Sequence, residues 1–147
     1  MYKHILVPTD GSKLSIKAAR QAVKLAKALG AKITGFYATP DFSSSYYGEG
    51  FVLRAPLTKT RTAFAEKQAR RYLSLIEVEA EMEKVPCEIF HSASDSPYAA
   101  IINAAAQKKC DLIVMASHGR RGLSALVLGS ETHKVLTHSK IPVLVCR

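Results

Sequence analysis

The residues best suited to chemistry in this chain lie in its last third. Met115-Ala116-Ser117-His118-Gly119-Arg120-Arg121-Gly122 follows a nearly all-apolar run, and Gly129-Ser130 opens a helical segment. Glycine lets main chain approach a phosphate with no Cβ in the way. The amides and dipole at a helix N-terminus favour an anion, and Ser130 can add a hydroxyl donor. Each glycine alone could simply make a turn, and Ser130 could be only an N-cap. The combination, placed after a buried strand, points to a bound phosphate, provided that the main-chain amides around Gly119 and Gly129 are free to surround it.

Other phosphate and hydrolytic motifs are absent. No Gly-Lys-Ser/Thr closes a Walker loop, and there is no G-x-G-x-x-G fingerprint. Ser117 beside His118 suggests a nucleophile and base, but no third group has an identifiable place and there is no G-x-S-x-G elbow. His4, His91, His133 and His138 lack metal-ligand spacing such as H-E-x-x-H. Arg120 and Arg121 read either as phosphate partners or as a solvated loop. Tyr46 and Tyr47 read either as an aromatic lid over a base or as a partner contact.

The elements that must position these residues alternate along the chain. Lys3 to Pro8 reads as a strand ending in the turn cluster Thr9-Asp10-Gly11-Ser12. Ser12 or Ser15 caps a helix to Leu29 whose inner face carries Ile16, Ala19, Val23, Ala26 and Leu29, and Gly30 stops it. Lys32 to Ala38 is a second strand. Residues 39–58 show no periodicity, and loops of that length usually carry function or mobility. Lys59 to about Lys84 reads as a long helix with Phe64, Ala65, Ala69, Tyr72, Leu73, Ile76 and Ala80 inward. Pro86 to His91 is a third strand. Ser96 and Pro97 start a helix carrying Ile101, Ile102 and Ala105. Asp111 to Ala116 is a fourth strand, apolar enough to be covered on both faces. Ser117 to Gly129 is a loop with an apolar patch at Leu123, Leu126, Val127 and Leu128. Ser130 to His138 is the last helix and Pro142 to Cys146 the last strand.

This alternation implies one α/β domain over 1–147 with an open parallel sheet and right-handed crossovers. Ligands of such sheets sit beyond the carboxyl ends of the strands, where the strand order reverses. The 147 residues, 48% hydrophobic and 22% charged, suit a single globular core. No apolar run nears the ~20 residues of a membrane span, and the N-terminus lacks signal-peptide character, so a cytoplasmic protein is expected. The net charge of +9 is spread over helix faces, which argues against a nucleic-acid surface. Cys87, Cys110 and Cys146 have neither disulfide nor zinc spacing and read as small buried hydrophobes.

The chain resembles the universal stress protein family over essentially its full length. The resemblance rests on Ile5-Leu6-Val7-Pro8-Thr9-Asp10-Gly11-Ser12, on Asp111-Leu112-Ile113-Val114-Met115, on Gly119 through Gly129-Ser130, and on Ile141-Pro142-Val143-Leu144-Val145. The ATP-binding branch carries G-x2-G-x9-G-[S/T]; Gly119 and Gly129-Ser130 match it, and Ala116 replaces the first glycine. The added methyl predicts weakened or selective binding. The resemblance implies a five-stranded sheet in the order 3-2-1-4-5, Rossmann-like, binding ATP, ADP or AMP, with Mg2+ if a triphosphate is held. Pro8, Thr9 and Asp10 would lie near the adenosine, with Asp10 at the ribose or a metal. Ala38 would offer main chain to the adenine edge and Met115 would pack on the nucleoside. Ala116 and Gly119 would line the ribose and phosphate path. Gly129, Ser130 and Glu131 would meet the phosphates, Glu131 through its amide alone.

The implied role is regulation in a stress response, with at most slow ATP hydrolysis or autophosphorylation, since no residue reads as a dedicated base. The alternative is a nucleotide-independent interaction module on the same fold, which Ala116 favours. An apolar edge strand at Val143, Leu144 and Val145 would need cover, and the resemblance implies a homodimer through it.

Overall fold

The computed structural model describes residues 1–42, 55–120 and 128–147, with backbone alone for 55–58. Tyr46, Tyr47, Arg121 and the apolar patch at Leu123, Leu126 and Val127 lie outside the described residues. The elements run β1 (His4–Pro8), α1 (Lys13–Leu29), β2 (Lys32–Thr39), α2 (Ala55–Met82), β3 (Cys87–Ala93), α3 (Pro97–Gln107), β4 (Leu112–Ala116), α4 (Ser130–His138) and β5 (Val143–Cys146). All pairings are parallel, in the order β3-β2-β1-β4-β5.

Two-residue alternation splits the core into two layers. Ile5 and Val7 of β1, with Leu112 and Val114 of β4, face Ala19, Val23, Leu73 and Ile76 of α1 and α2. Leu6, Ile113 and Met115 face the other way, onto Ile101, Ala105 and Val135 of α3 and α4. Ile5, Leu6, Val7, Ile113 and Val114 have no solvent exposure, each contributing about 1.5–3 kcal/mol of apolar burial. The sheet is therefore rigid where the site will need it. Among the described residues no helix is long and apolar enough to cross a membrane.

Local chemistry sets the helix ends. Ser12 caps α1 by accepting the Ser15 amide at 3.1 Å, and Gly30 ends it in the left-handed conformation at φ 64°. Three expectations shift. Helix α2 begins at Ala55, one turn before Lys59, because Pro56 is tolerated in a first turn, where its missing N–H has no acceptor to serve. Phe64 is 67% exposed rather than inward: the buried row Ala65, Ala69, Leu73, Ile76 and Ala80 sets the phase, and Phe64 falls about 100° from Ala65. Ser96 occupies the N-cap position of α3 but makes no side-chain cap bond.

Candidate functional site

At β1 the chain reverses its direction of travel across the sheet, with β2 on one side and β4 on the other. Beyond the carboxyl ends of these strands lies a cleft of about 600 Å³, within the usual range for small-molecule sites. All ten residues proposed from the sequence line it: Pro8, Thr9 and Asp10 after β1, Ala38 of β2, Met115 and Ala116 at the end of β4, Gly119 in the following loop, and Gly129, Ser130 and Glu131 at the start of α4. Phe36, Tyr37, Pro97, Ile101 and Thr132 join them. Sequence reasoning passed over these five. Phe36 fell within the second strand and Ile101 within the helix after Pro97, and the structure shows that both reach the cleft.

The first wall is a tight turn. The Thr9 amide makes the last bond between β1 and β2, to the Phe36 carbonyl at 2.9 Å. Main-chain groups alternate sides along a strand, so Ala38, two residues on, turns its amide and carbonyl toward the space that β1 has vacated. Thr9 Oγ1 accepts the Gly11 amide at 3.1 Å and lies 3.0 Å from Ser15 Oγ. Gly11 sits at φ 76° with the Tyr72 ring where a Cβ would stand, so both its conformation and its missing side chain are required.

Asp10 joins this turn to the loop after β4. Its Oδ1 accepts the Ser12 amide at 3.0 Å and its Oδ2 the Arg120 amide at 2.9 Å. Burial pushes the Asp10 carboxyl up, but hydrogen bonds from Ser12, Arg120 and Ser15 outweigh it and hold the group below its ordinary value. An ionised Asp10 is thus built in. A Cβ on Gly119 would strike Asp10 Oδ2, which gives this glycine a reason internal to the protein. The Arg120 guanidinium bonds the Tyr72 hydroxyl and lies 4.9 Å from the centre of its ring. Arg120 is thus an exposed loop residue, as one of its two readings had it, but its guanidinium is engaged by Tyr72 and not free for a phosphate. Tyr72 in turn meets Tyr37 edge-on at 5.3 Å.

The second wall is the β4–α4 connection. The Gly129 amide donates to the Ser117 carbonyl at 2.8 Å, and Thr132 Oγ1 donates to the Ala116 carbonyl at 3.0 Å. A Cβ on Gly129 would lie 3.0 Å from His118 Cα. The expectation of free amides around both glycines is therefore corrected: those of Gly129 and Arg120 are occupied by the protein. What remains is the first turn of α4, whose amides at Ser130, Glu131 and Thr132 have no intrahelical acceptor. The Glu131 carboxylate points elsewhere. It accepts the Tyr98 amide at 2.8 Å, capping α3 in place of Ser96, and holds Lys134 at 3.1 Å. Ser117 Oγ lies 3.1 Å from His118 Nδ1, but Ser117 is buried, poorly placed to attack a substrate. Among the described residues no cluster of three or more His, Cys, Asp or Glu could hold a metal ion.

The cleft thus offers apolar walls at Pro8, Phe36, Ile101 and Met115, Ala38 main chain beyond the last bond to β1, and a helix N-terminus for an anion. Comparison with known proteins supplies the context. The model of the universal stress protein family matches residues 1–147. A universal stress protein of Methanocaldococcus jannaschii is 32% identical, covering 100% of this chain and 83% of the relative. One of Thermus aquaticus is 35% identical over 100% of both chains. Among solved structures, a universal stress protein in complex with cAMP superposes with TM-score 0.74 at 24% identity, covering 99% of this chain and 97% of that one. The universal stress protein of Archaeoglobus fulgidus in complex with dAMP does so with TM-score 0.66 at 19% identity, covering 99% and 98%.

Proposed function

This chain belongs to the universal stress protein family, and from that premise we propose that its cleft binds an adenine nucleotide and that occupancy regulates which partners the protein engages. The observation that carries the reading is the convergence of apolar walls, Ala38 main chain beyond the last bond to β1 and the α4 N-terminus on one cleft. Relatives of the same fold have been solved with cAMP and with dAMP, which supports an adenine ligand here.

The residues fit such a ligand. The base lies between Pro8, Phe36 and Met115, with its edge toward Ala38. The ribose passes Ala116 and Gly119. One phosphate meets the amides of Ser130 and Glu131 and the Ser130 hydroxyl, where the helix dipole favours negative charge. A triphosphate would add β- and γ-phosphates beyond this point, and with Mg2+ Asp10 would be a carboxylate of the cleft on hand for the metal. We read the protein as a switch, with at most slow ATP hydrolysis or autophosphorylation. An apolar β5 edge, with Leu144 45% exposed, supports the pairing of Val143, Leu144 and Val145 with a second copy.

A ligand that binds only the folded state at one hundred times its Kd stabilises by about 2.7 kcal/mol, raising Tm by about 5–10 °C for a chain of this size. Thermal melts with cAMP, AMP, ADP and ATP, with and without Mg2+, should show such a shift for at least one, and Gly119→Val should abolish it. No shift with any of them, and no nucleotide released on denaturing the purified protein, would overturn the proposal. A second reading, a nucleotide-independent interaction module, is favoured by the occupied amides of Gly129 and Arg120 and by the Ala116 methyl; the same melts separate the two.

A further inference from the structure

Four large apolar side chains stand out from the surface of α2: Phe64, Leu75, Val78 and Met82 are 67, 42, 53 and 75% exposed. At 3.6 residues per turn they form one stripe, on the side of the helix away from the buried row that seats α2 on β2 and β3. Large apolar residues scattered singly over a surface are ordinary. A row in which Phe64 and Val78 take one coiled-coil seam position and Leu75 and Met82 the other is not.

The charges along α2 are sorted by its length. Lys59, Arg61, Lys67, Arg70 and Arg71, with Glu66, lie before position 73; Glu77, Glu79 and Glu81 lie after it, with Glu83 one residue past the helix end. A copy of this helix laid alongside in the same direction would set like charge against like. Laid in the opposite direction, it sets the basic half against the acidic half twice over. An amphipathic helix resting on a membrane surface would instead keep its polar face basic throughout.

We propose that a second copy of the chain docks here, α2 lying antiparallel on α2 about a twofold axis at the level of position 73. That register sets Phe64 opposite Met82 of the second copy and Arg71 opposite its Leu75, the aliphatic stem of the arginine covering the leucine. It also brings Lys67 beside Glu81 of the second copy. Glu79 and Glu83 are held by Arg20 at 2.6 Å and Lys27 at 2.5 Å within the chain, whereas Lys67 and Glu81 are exposed and make no ion pair among the described residues. Twofold symmetry repeats every one of these contacts. The face lies over the β2–β3 half of the sheet, away from the β5 edge. The two contacts therefore use different surfaces of the chain, and this one does not depend on nucleotide.

Sedimentation velocity across a wide concentration range tests it, with circular dichroism melts to confirm folding. Val78→Glu should weaken one association step by more than about tenfold, the effect of burying an uncompensated group at an interface centre. Leu144→Glu on β5 should leave that step unchanged. Lys67→Glu should weaken it, and the exchange Lys67→Glu with Glu81→Lys should restore it. Absence of any step sensitive to Val78→Glu, or a double exchange as weak as the single one, overturns the proposal.

Discussion

Replacing Gly119 with alanine puts a methyl carbon against Asp10 Oδ2. The carboxylate must swing away, and its 2.9 Å bond from the Arg120 amide is lost. A hydrogen bond to an ionised group is worth about 1.5–3 kcal/mol. Water reaches this one, so the lower end, about 1.5 kcal/mol, applies. Gly119 does not have a positive φ, so alanine also returns about 0.4–1 kcal/mol by restricting the unfolded chain. The net loss is about 0.5–1 kcal/mol, or about 1–4 °C in Tm. In an Asp10→Ala background the obstacle is gone and only the unfolded-chain term survives. There Gly119→Ala should stabilise by about 0.4–1 kcal/mol, a change of sign. Urea unfolding of the parent, both single variants and the double variant at pH 7, without nucleotide, measures the coupling, which exceeds the usual additivity error of about 0.3–0.5 kcal/mol. Equal effects of Gly119→Ala in both backgrounds would refute the account of this glycine.

Other perturbations have equally definite outcomes. Burial and the nearby Lys32 push His4 below its ordinary value of 6.5, against the opposing pull of Glu88 and Asp111. Neutral in the fold and more basic when unfolded, His4 stabilises fully above pH 6.5 and loses this contribution as pH falls from there toward its depressed folded value; His4→Gln should flatten the fall in Tm over that window. Glu131→Ala removes the acceptor for the Tyr98 amide and should cost about 0.5–2 kcal/mol, the usual range for a lost N-cap, with faster hydrogen exchange in the first turn of α3. Burial pushes the Cys87 and Cys110 thiols up to about 11, so iodoacetamide at pH 8 should modify both far more slowly in the folded protein than in urea; rapid labelling of the folded chain would contradict their placement.

What was legible from the sequence depended on the range of the interaction involved. Ser130 to His138 was bounded correctly because its limits are local: Gly129-Ser130 before it and the break at Ser139 to Pro142 after it. The sheet order followed from the family resemblance, and the ten cleft residues came together because strand ends in such a sheet must converge. The reason for Gly119 was not legible, since the group that requires it, Asp10, lies 109 positions earlier. Glu131 read as a phosphate-opposing side chain because its partner belongs to another helix, 33 positions away. Phe64 was misplaced by local apolarity, where the packing of α2 on the sheet decides the phase. The contact of the exposed Arg120 with Tyr72 was not legible because its partner lies 48 positions away.

Two bonds fasten the start of α4 to the end of β4, Gly129 to Ser117 and Thr132 to Ala116, so the helix start is held to the sheet by residues outside 121–127. Closing a flexible loop twice as long costs only about 0.6 kcal/mol more. Residues can therefore be inserted or deleted between 121 and 127 while the helix start stays in register with the sheet, so this segment is free to diversify in size and composition over an unchanged platform.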